Sequence, residues 1–171
     1  GKYYERVAQN ESVNFYGNVT IGKDIRVDEL QQYYDAIVFS CGAESDKKMG
    51  IQGEDLLGSR TATEFVGWYN GHPDFANFNP DLSGDTAIVI GAGNVAMDCG
   101  RILAITPQEL QETDVAPYAL EKFKNSKVKN TYIVARRSLE YAAFTSAELR
   151  DLPKLEHTNV IVDQSDVALA Q

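Results

Sequence analysis

Residues 85–103 read DTAIVIGAGNVAMDCGRIL. A continuous apolar strand pattern, residues 86–90, runs into Gly91, and from Asn94 to Ala104 the apolar spacing becomes helical. This order constrains the chain more than any other stretch. A strand, a turn of small residues and a helix must follow one another directly, which opens a β-α-β unit. Gly91-Ala92-Gly93-Asn94-Val95-Ala96 carries the G-x-G-x-x-A spacing, and each small residue has a mechanical reason. Gly91 lets the chain turn tightly out of the strand, Gly93 lets a pyrophosphate approach the backbone, and Ala96 lets the helix lie close to the sheet. The helix N-terminus presents free N–H groups and the positive end of its dipole to phosphates.

The end of the next strand distinguishes the kinds of dinucleotide. Asp or Glu there would bond a ribose 2′-hydroxyl. Instead the apolar run at 131–135 ends in Ala135-Arg136-Arg137. Two guanidinium groups suit a 2′-phosphate, because the planar fork bonds phosphate oxygens in pairs. The pair points to NADP rather than NAD. Arg136 lies well beyond the usual interval of about 20 residues after the glycines, so residues 106–130 are read as a helical insertion in the crossover.

The rest of the chain fits around this unit. Residues 13–22 read as strand and turn, VDELQQYY as a short helix, and DAIVFSCGA as a buried strand ending at Gly42. Thr61-Ala-Thr-Glu64 and Thr106-Pro-Gln-Glu109 have capping-box spacing, the second with Pro at the first helical position. Gly71 is placed to end the first of these helices. A helix is expected around 116–125. Thr145-Ser-Ala-Glu148 has the same box spacing, and NVIVD at 159–163 reads as a last strand. Short apolar strands alternating with helices indicate an α/β fold with a parallel sheet covered on both faces.

Charge and composition exclude several functions. The net charge is −9, which argues against general nucleic-acid binding. No apolar run approaches the length of a membrane span, and the polar opening GKYYERVAQNES is no signal peptide. Cys41 and Cys99 form no C-x-x-C or metal spacing, and both read as core residues of a reducing compartment. His72 and His157 join no constellation with Cys, Asp or Glu, so no metal, nucleophile or catalytic side chain is assigned. Trp68 and Tyr69 read as packing residues.

FYGNVTIGKDI, DAIVFSCGAE, FVGWYNG, PDLSGDTAIVIGAGNVAMD and YIVARRS…FTSAELR, in that order, resemble the adrenodoxin reductase family. Its members are FAD-containing, NADPH-dependent reductases of [2Fe-2S] ferredoxins, built from two nested dinucleotide-binding domains. The resemblance implies that residues 1–43 are the end of the first FAD-domain segment. It implies that 44–171 are a Rossmann-like, doubly wound NADP-binding domain, incomplete at its C-terminus. It assigns Ala92, Gly93, Asn94 and Val95 to the pyrophosphate turn and Arg136 and Arg137 to the 2′-phosphate. Glu148 matches a residue at the NADP site, and Val19 a position whose backbone meets the FAD adenine. Arg150 matches a basic residue turned toward acidic, adrenodoxin-like ferredoxin. The family usually has Gln where this chain has Ala92, so any contact from that side chain is lost.

The function so implied is hydride transfer from NADPH to FAD, then single electrons to ferredoxin, with this chain supplying the NADP part. One FAD glycine turn and the later FAD segment are missing, so the chain alone is expected not to retain FAD. The rival readings are a non-catalytic NADP-binding module and an NADPH subunit of glutamate-synthase type. A thioredoxin-reductase type lacks its redox cysteine pair here, and a methyltransferase would want an acidic residue where Arg136 stands. Eukaryotic family members sit on the matrix face of the mitochondrial inner membrane, with peripheral membrane association. Bacterial ones are cytoplasmic.

Overall fold

The computed structural model describes residues 2–43 and 45–162, and divides the chain into two compact units, 1–42 and 43–171.

In the first unit, helix α1 spans Lys2–Ala8 and helix α2 spans Val27–Leu30. The Glu29 carboxylate accepts the Arg26 N–H at 2.8 Å, which closes the start of α2. The strand expected over 13–22 is not formed. The backbone is irregular there, turns at Asn18 (φ 57°), and makes one isolated bridge, Ile21 to Ile25. The Asp24 carboxylate accepts the Thr20 N–H at 2.7 Å and organises that turn. DAIVFSCGA is not a buried strand either. Its described residues are irregular, Val38 and Phe39 are exposed, and so is Cys41. The physical reason is the same in both cases. A strand is stabilised by the ladder of its neighbours, and the described residues of this unit offer no partner strand.

In the second unit, helix α3 (Ala62–Tyr69) starts in a closed capping box, Thr61 with Glu64, and buries Phe65, Trp68 and Tyr69. Gly71 follows at φ 79°, a left-handed residue that turns the chain away. Strand β1 (Thr86–Ile90) leads into helix α4 (Asn94–Ala104). Helix α5 (Pro107–Gln111) opens with the Thr106–Glu109 box and Pro107 in its first turn, and its Leu110 is fully buried. Helix α6 (Pro117–Lys124) buries Ala119 and Phe123. Strand β2 (Asn130–Val134) pairs with β1 in parallel, in the register Thr86 to Asn130 through Ile90 to Val134. Helix α7 (Ser146–Asp151) follows a short 3₁₀ turn at Leu139–Tyr141.

The core lies among α3, α4, α5 and α6. Phe65, Trp68, Tyr69, Leu82, Cys99, Ile102, Leu110 and Phe123 form it, and Val89 of β1 packs against it. Phe65 and Trp68 each set a ring against Phe123, with centroids 6.3 and 5.4 Å apart. These tilted and edge-on pairs add to the area the rings bury. Helix α4 lies against both strands.

Among the described residues the sheet has two strands, β1 and β2. One face of it meets α4. The other, with Ile88, Ile90, Tyr132 and Val134, is exposed, so the expected cover on both faces is not present. The last strand expected at 159–163 is also absent over 159–162, where Ile161 is 89% exposed and no strand of the described residues lies alongside. Asp163 lies outside the described residues.

Candidate functional site

The glycine turn stands where β1 becomes α4. Gly91 has φ 144°, a conformation that side-chain-bearing residues avoid, and a Cβ there would meet the Ala96 methyl at 3.3 Å. Its N–H donates to the Val134 carbonyl of β2 at 2.9 Å, so the turn leaves the sheet still tied to it. At Gly93 a Cβ would meet no atom within 4 Å, which leaves open space over the backbone. Gly93 is the N-cap of α4, and among the described residues no side chain caps that helix end. An 11-residue helix thus begins with its first N–H groups uncapped beside an open glycine, the arrangement an anion needs. The residues fit a pyrophosphate on this ground.

Arg136 and Arg137 come two and three residues after the end of β2, in a bend, both exposed. The Arg137 guanidinium lies over the Tyr141 ring, 5.1 Å from its centroid. Stacking uses the face of the guanidinium and leaves the in-plane donors for an anion. Among the described residues neither arginine is in an ion pair.

Glu148 is half-buried on α7, and the Thr145 hydroxyl donates to its carboxylate. The expected capping box does not close, because the Thr145 N–H donates instead to Asn94 Oδ1 at 2.8 Å. The Ala143 N–H donates to the Ala92 carbonyl at 2.7 Å, and Gly93 bridges Ala143 in parallel. The structure therefore brings Gly91, Ala92, Gly93, Asn94 and Val95 together with Glu148, through Thr145. Val95 is exposed on the first turn of α4. Val19 belongs to the first unit, where it is exposed beside the Asn18 turn. Arg150 is exposed near the end of α7.

Two groups near the core have strongly raised pKa values. Burial pushes the Cys99 thiol up to about 11, with the Asp98 charge adding to it. Burial pushes the Tyr69 hydroxyl up to about 12, with Cys99 and Asp98 as further causes. Both groups stay neutral near pH 7, as core residues should. Among the described residues there is no cluster of His, Cys, Asp or Glu able to hold a metal, and no helix long and apolar enough to cross a membrane.

Sequence reasoning missed Gly100, Tyr141 and the bond that joins Thr145 to Asn94. Gly100 carried a signal, a second glycine on the same helix seven residues after Gly93. The Thr145–Asn94 bond spans 51 positions and has no local mark, and Tyr141 stands only four residues after Arg137, a spacing that by itself does not signal a stack.

No protein-family model matches the chain. Among curated proteins, NADPH-ferredoxin reductase FprA of Mycobacterium tuberculosis is 45% identical over 166 residues, 97% of this chain and 36% of that protein. The mitochondrial NADPH:adrenodoxin oxidoreductase of Arabidopsis thaliana is 43% identical over 167 residues, 97% of this chain and 35% of that protein. The mouse mitochondrial NADPH:adrenodoxin oxidoreductase is 45% identical over 163 residues, 95% of this chain and 33% of that protein. Among solved structures, M. tuberculosis FprA in complex with NADPH superposes with a TM-score of 0.88 at 44% identity, covering 99% of this chain and 38% of that one. The chain spans about a third of the length of the curated relatives it matches. It is homologous to one segment of the NADPH-ferredoxin and NADPH:adrenodoxin reductases, and shares with FprA a mixed fold built on a small parallel sheet.

Proposed function

We propose that this chain is the NADP-binding part of an NADPH-dependent flavoprotein reductase that serves a [2Fe-2S] ferredoxin. The observation that carries the reading is the strand–turn–helix at 86–104, with open space at Gly93, an uncapped α4 and an arginine pair at the end of the neighbouring parallel strand. The similarity to segments of NADPH-using reductases supports it. In this reading the finer fold is a Rossmann-like, doubly wound domain over 44–171, and 1–43 belongs to the FAD domain. The division of the chain at 42/43 supports that boundary.

Bound at this turn, NADPH would supply the hydride for reduction of a flavin and, through it, of an iron–sulfur partner. This chain's residues bind and orient. The backbone N–H groups of Gly93, Asn94 and Val95 hold the pyrophosphate at the α4 N-terminus. Arg136 and Arg137 hold the 2′-phosphate and so choose NADPH over NADH. Glu148, an acceptor, takes a donor of the nucleotide, and Arg150 faces an acidic partner. The residues do not fit FAD by themselves. Val19 offers only backbone, and the sequence has no second G-x-G-x-x-G/A turn. The chain is therefore expected to purify without flavin. The mitochondrial names of the plant and mouse relatives support a mitochondrial parent protein, which we read as lying on the matrix side of the inner membrane with peripheral association, and the mycobacterial relative supports a cytoplasmic bacterial one.

The test is calorimetric titration with NADPH and NADH, on the chain and on Arg136→Ala/Arg137→Ala. NADPH should bind well ahead of NADH. The double variant should lose that preference, by about tenfold or more per arginine, since charge-assisted hydrogen bonds are worth roughly 1.5–3 kcal/mol. Equal binding of the two nucleotides by the unaltered chain would refute the 2′-phosphate role.

A further inference from the structure

Asn94 is the first residue of α4, yet its side-chain oxygen is already engaged. Oδ1 accepts the Thr145 N–H at 2.8 Å. A backbone N–H can only donate, so the amide must turn its oxygen to Thr145 and keep Nδ2–H₂ as its spare donor. Two residues earlier, Ala143 is bonded to the Ala92 carbonyl at 2.7 Å. Two bonds thus join 143–145 to 92–94, edge to edge. Thr145 also uses its hydroxyl, which donates to the Glu148 carboxylate. One residue therefore acts on two groups of the site with two different atoms.

We propose that Thr145 is a positioning residue of the nucleotide site. It orients the Asn94 amide as a donor and holds the Glu148 carboxylate in a fixed place as an acceptor. The inference rests on reading the glycine turn as an NADP site. The chemistry favours such a sorting. A pyrophosphate takes donors only, and a loose carboxylate near it would repel it. A carboxylate tethered by a hydroxyl stays off the phosphates and remains available to an O–H or N–H of the sugar or base. The amide, locked the right way round, adds a donor to those of the backbone.

The test uses the whole chain, with calorimetric titration by NADP⁺ and NMR amide exchange at residue 145. Thr145→Val keeps the N–H and loses the hydroxyl. Its Asn94 bond should stay protected from exchange, while NADP⁺ binding weakens by about fivefold or more. Thr145→Ser should restore the affinity, which a merely structural role at this site would not require. Asn94→Ala should release the residue 145 N–H to exchange. Asn94→Asp should keep it protected yet weaken NADP⁺ by about tenfold, because a charge replaces the spare donor. If the unaltered chain binds NADP⁺ and Thr145→Val binds it as tightly, the positioning role is wrong. If the residue 145 N–H is as protected in Asn94→Ala as in the parent, the latch is wrong. If the unaltered chain takes up no NADP⁺, the reading of the turn as a nucleotide site falls, and this inference with it.

Discussion

Gly100 lies under Ile133, so close that a Cβ at position 100 would come within 2.7 Å of Ile133 Cδ1 and 3.1 Å of Cγ1. This contact seats α4 on β2 and so sets the height of the glycine turn above the sheet. Alanine would gain about 1 kcal/mol of helix propensity over glycine, but crowding a packed side chain typically costs about 1–3 kcal/mol. Gly100→Ala should be destabilised by about 1 kcal/mol in urea unfolding. Adding Ile133→Val, which removes Cδ1, should recover most of it. A Gly100→Ala chain as stable as the parent would show that the contact does not limit the packing.

The stack of Arg137 on Tyr141 makes a second expectation. An exposed cation–π contact is worth about 0.5–1 kcal/mol, so Tyr141→Leu should weaken NADP⁺ binding by about two- to fivefold and leave NAD⁺ binding unchanged. Calorimetry with both nucleotides checks it. Equal weakening of both would mean that Tyr141 supports the turn and not the arginine.

Glu109 ties together chain segments far apart in sequence. The Thr106 hydroxyl donates to Oε2 at 2.6 Å, and the Glu156 N–H to Oε1 at 3.0 Å. These bonds, the Thr106 hydroxyl first, hold its carboxyl below the usual range. A group depressed in the folded state stabilises it above its unfolded pKa, and that stability is lost as pH falls through the folded value. The urea midpoint should therefore fall between about pH 5 and pH 3 more steeply in the parent than in Glu109→Gln. Parallel curves would remove Glu109 as a contributor.

The two thiols should separate cleanly. Cys41 is exposed, whereas Cys99 is buried with its thiol raised to about 11. At about pH 8 the thiolate is the reactive form, so a maleimide should label Cys41 alone in the native chain and Cys99 only on unfolding. Mass spectrometry of the labelled peptides reads this directly. Labelling of Cys99 under native conditions would show that α4 opens readily.

What was legible in the sequence was local. The boxes at Thr61–Glu64 and Thr106–Glu109 formed, because each needs only residues three apart. The turn at Gly91–Ala96 was legible for the same reason. The box at Thr145–Glu148 failed because Asn94, 51 positions away, took its N–H. The strands expected within 35–43 and 159–163 carry apolar runs like that of β1, and 13–22 carries a broken one. A strand, however, exists only beside another, and no spacing along a chain shows whether its neighbour is at hand. Cys41 was misjudged with its strand. The arginine pair was legible in identity, and the ring that Arg137 rests on was not.

The parallel pairing of β1 with β2 has a consequence in time. The Gly91 N–H reaches the Val134 carbonyl only after a crossover of about forty residues has closed. By the (3/2)RT ln n rule that closure costs about 3 kcal/mol before any contact across it repays the cost. Contacts so distant in sequence slow folding. Helix α4 can form early from its own residues, but the turn at its head takes its final shape late, when β2 docks. The proposed nucleotide cradle is then among the last parts of the chain to assemble, and a nucleotide bound there would act as a clasp on a finished fold rather than a seed for it.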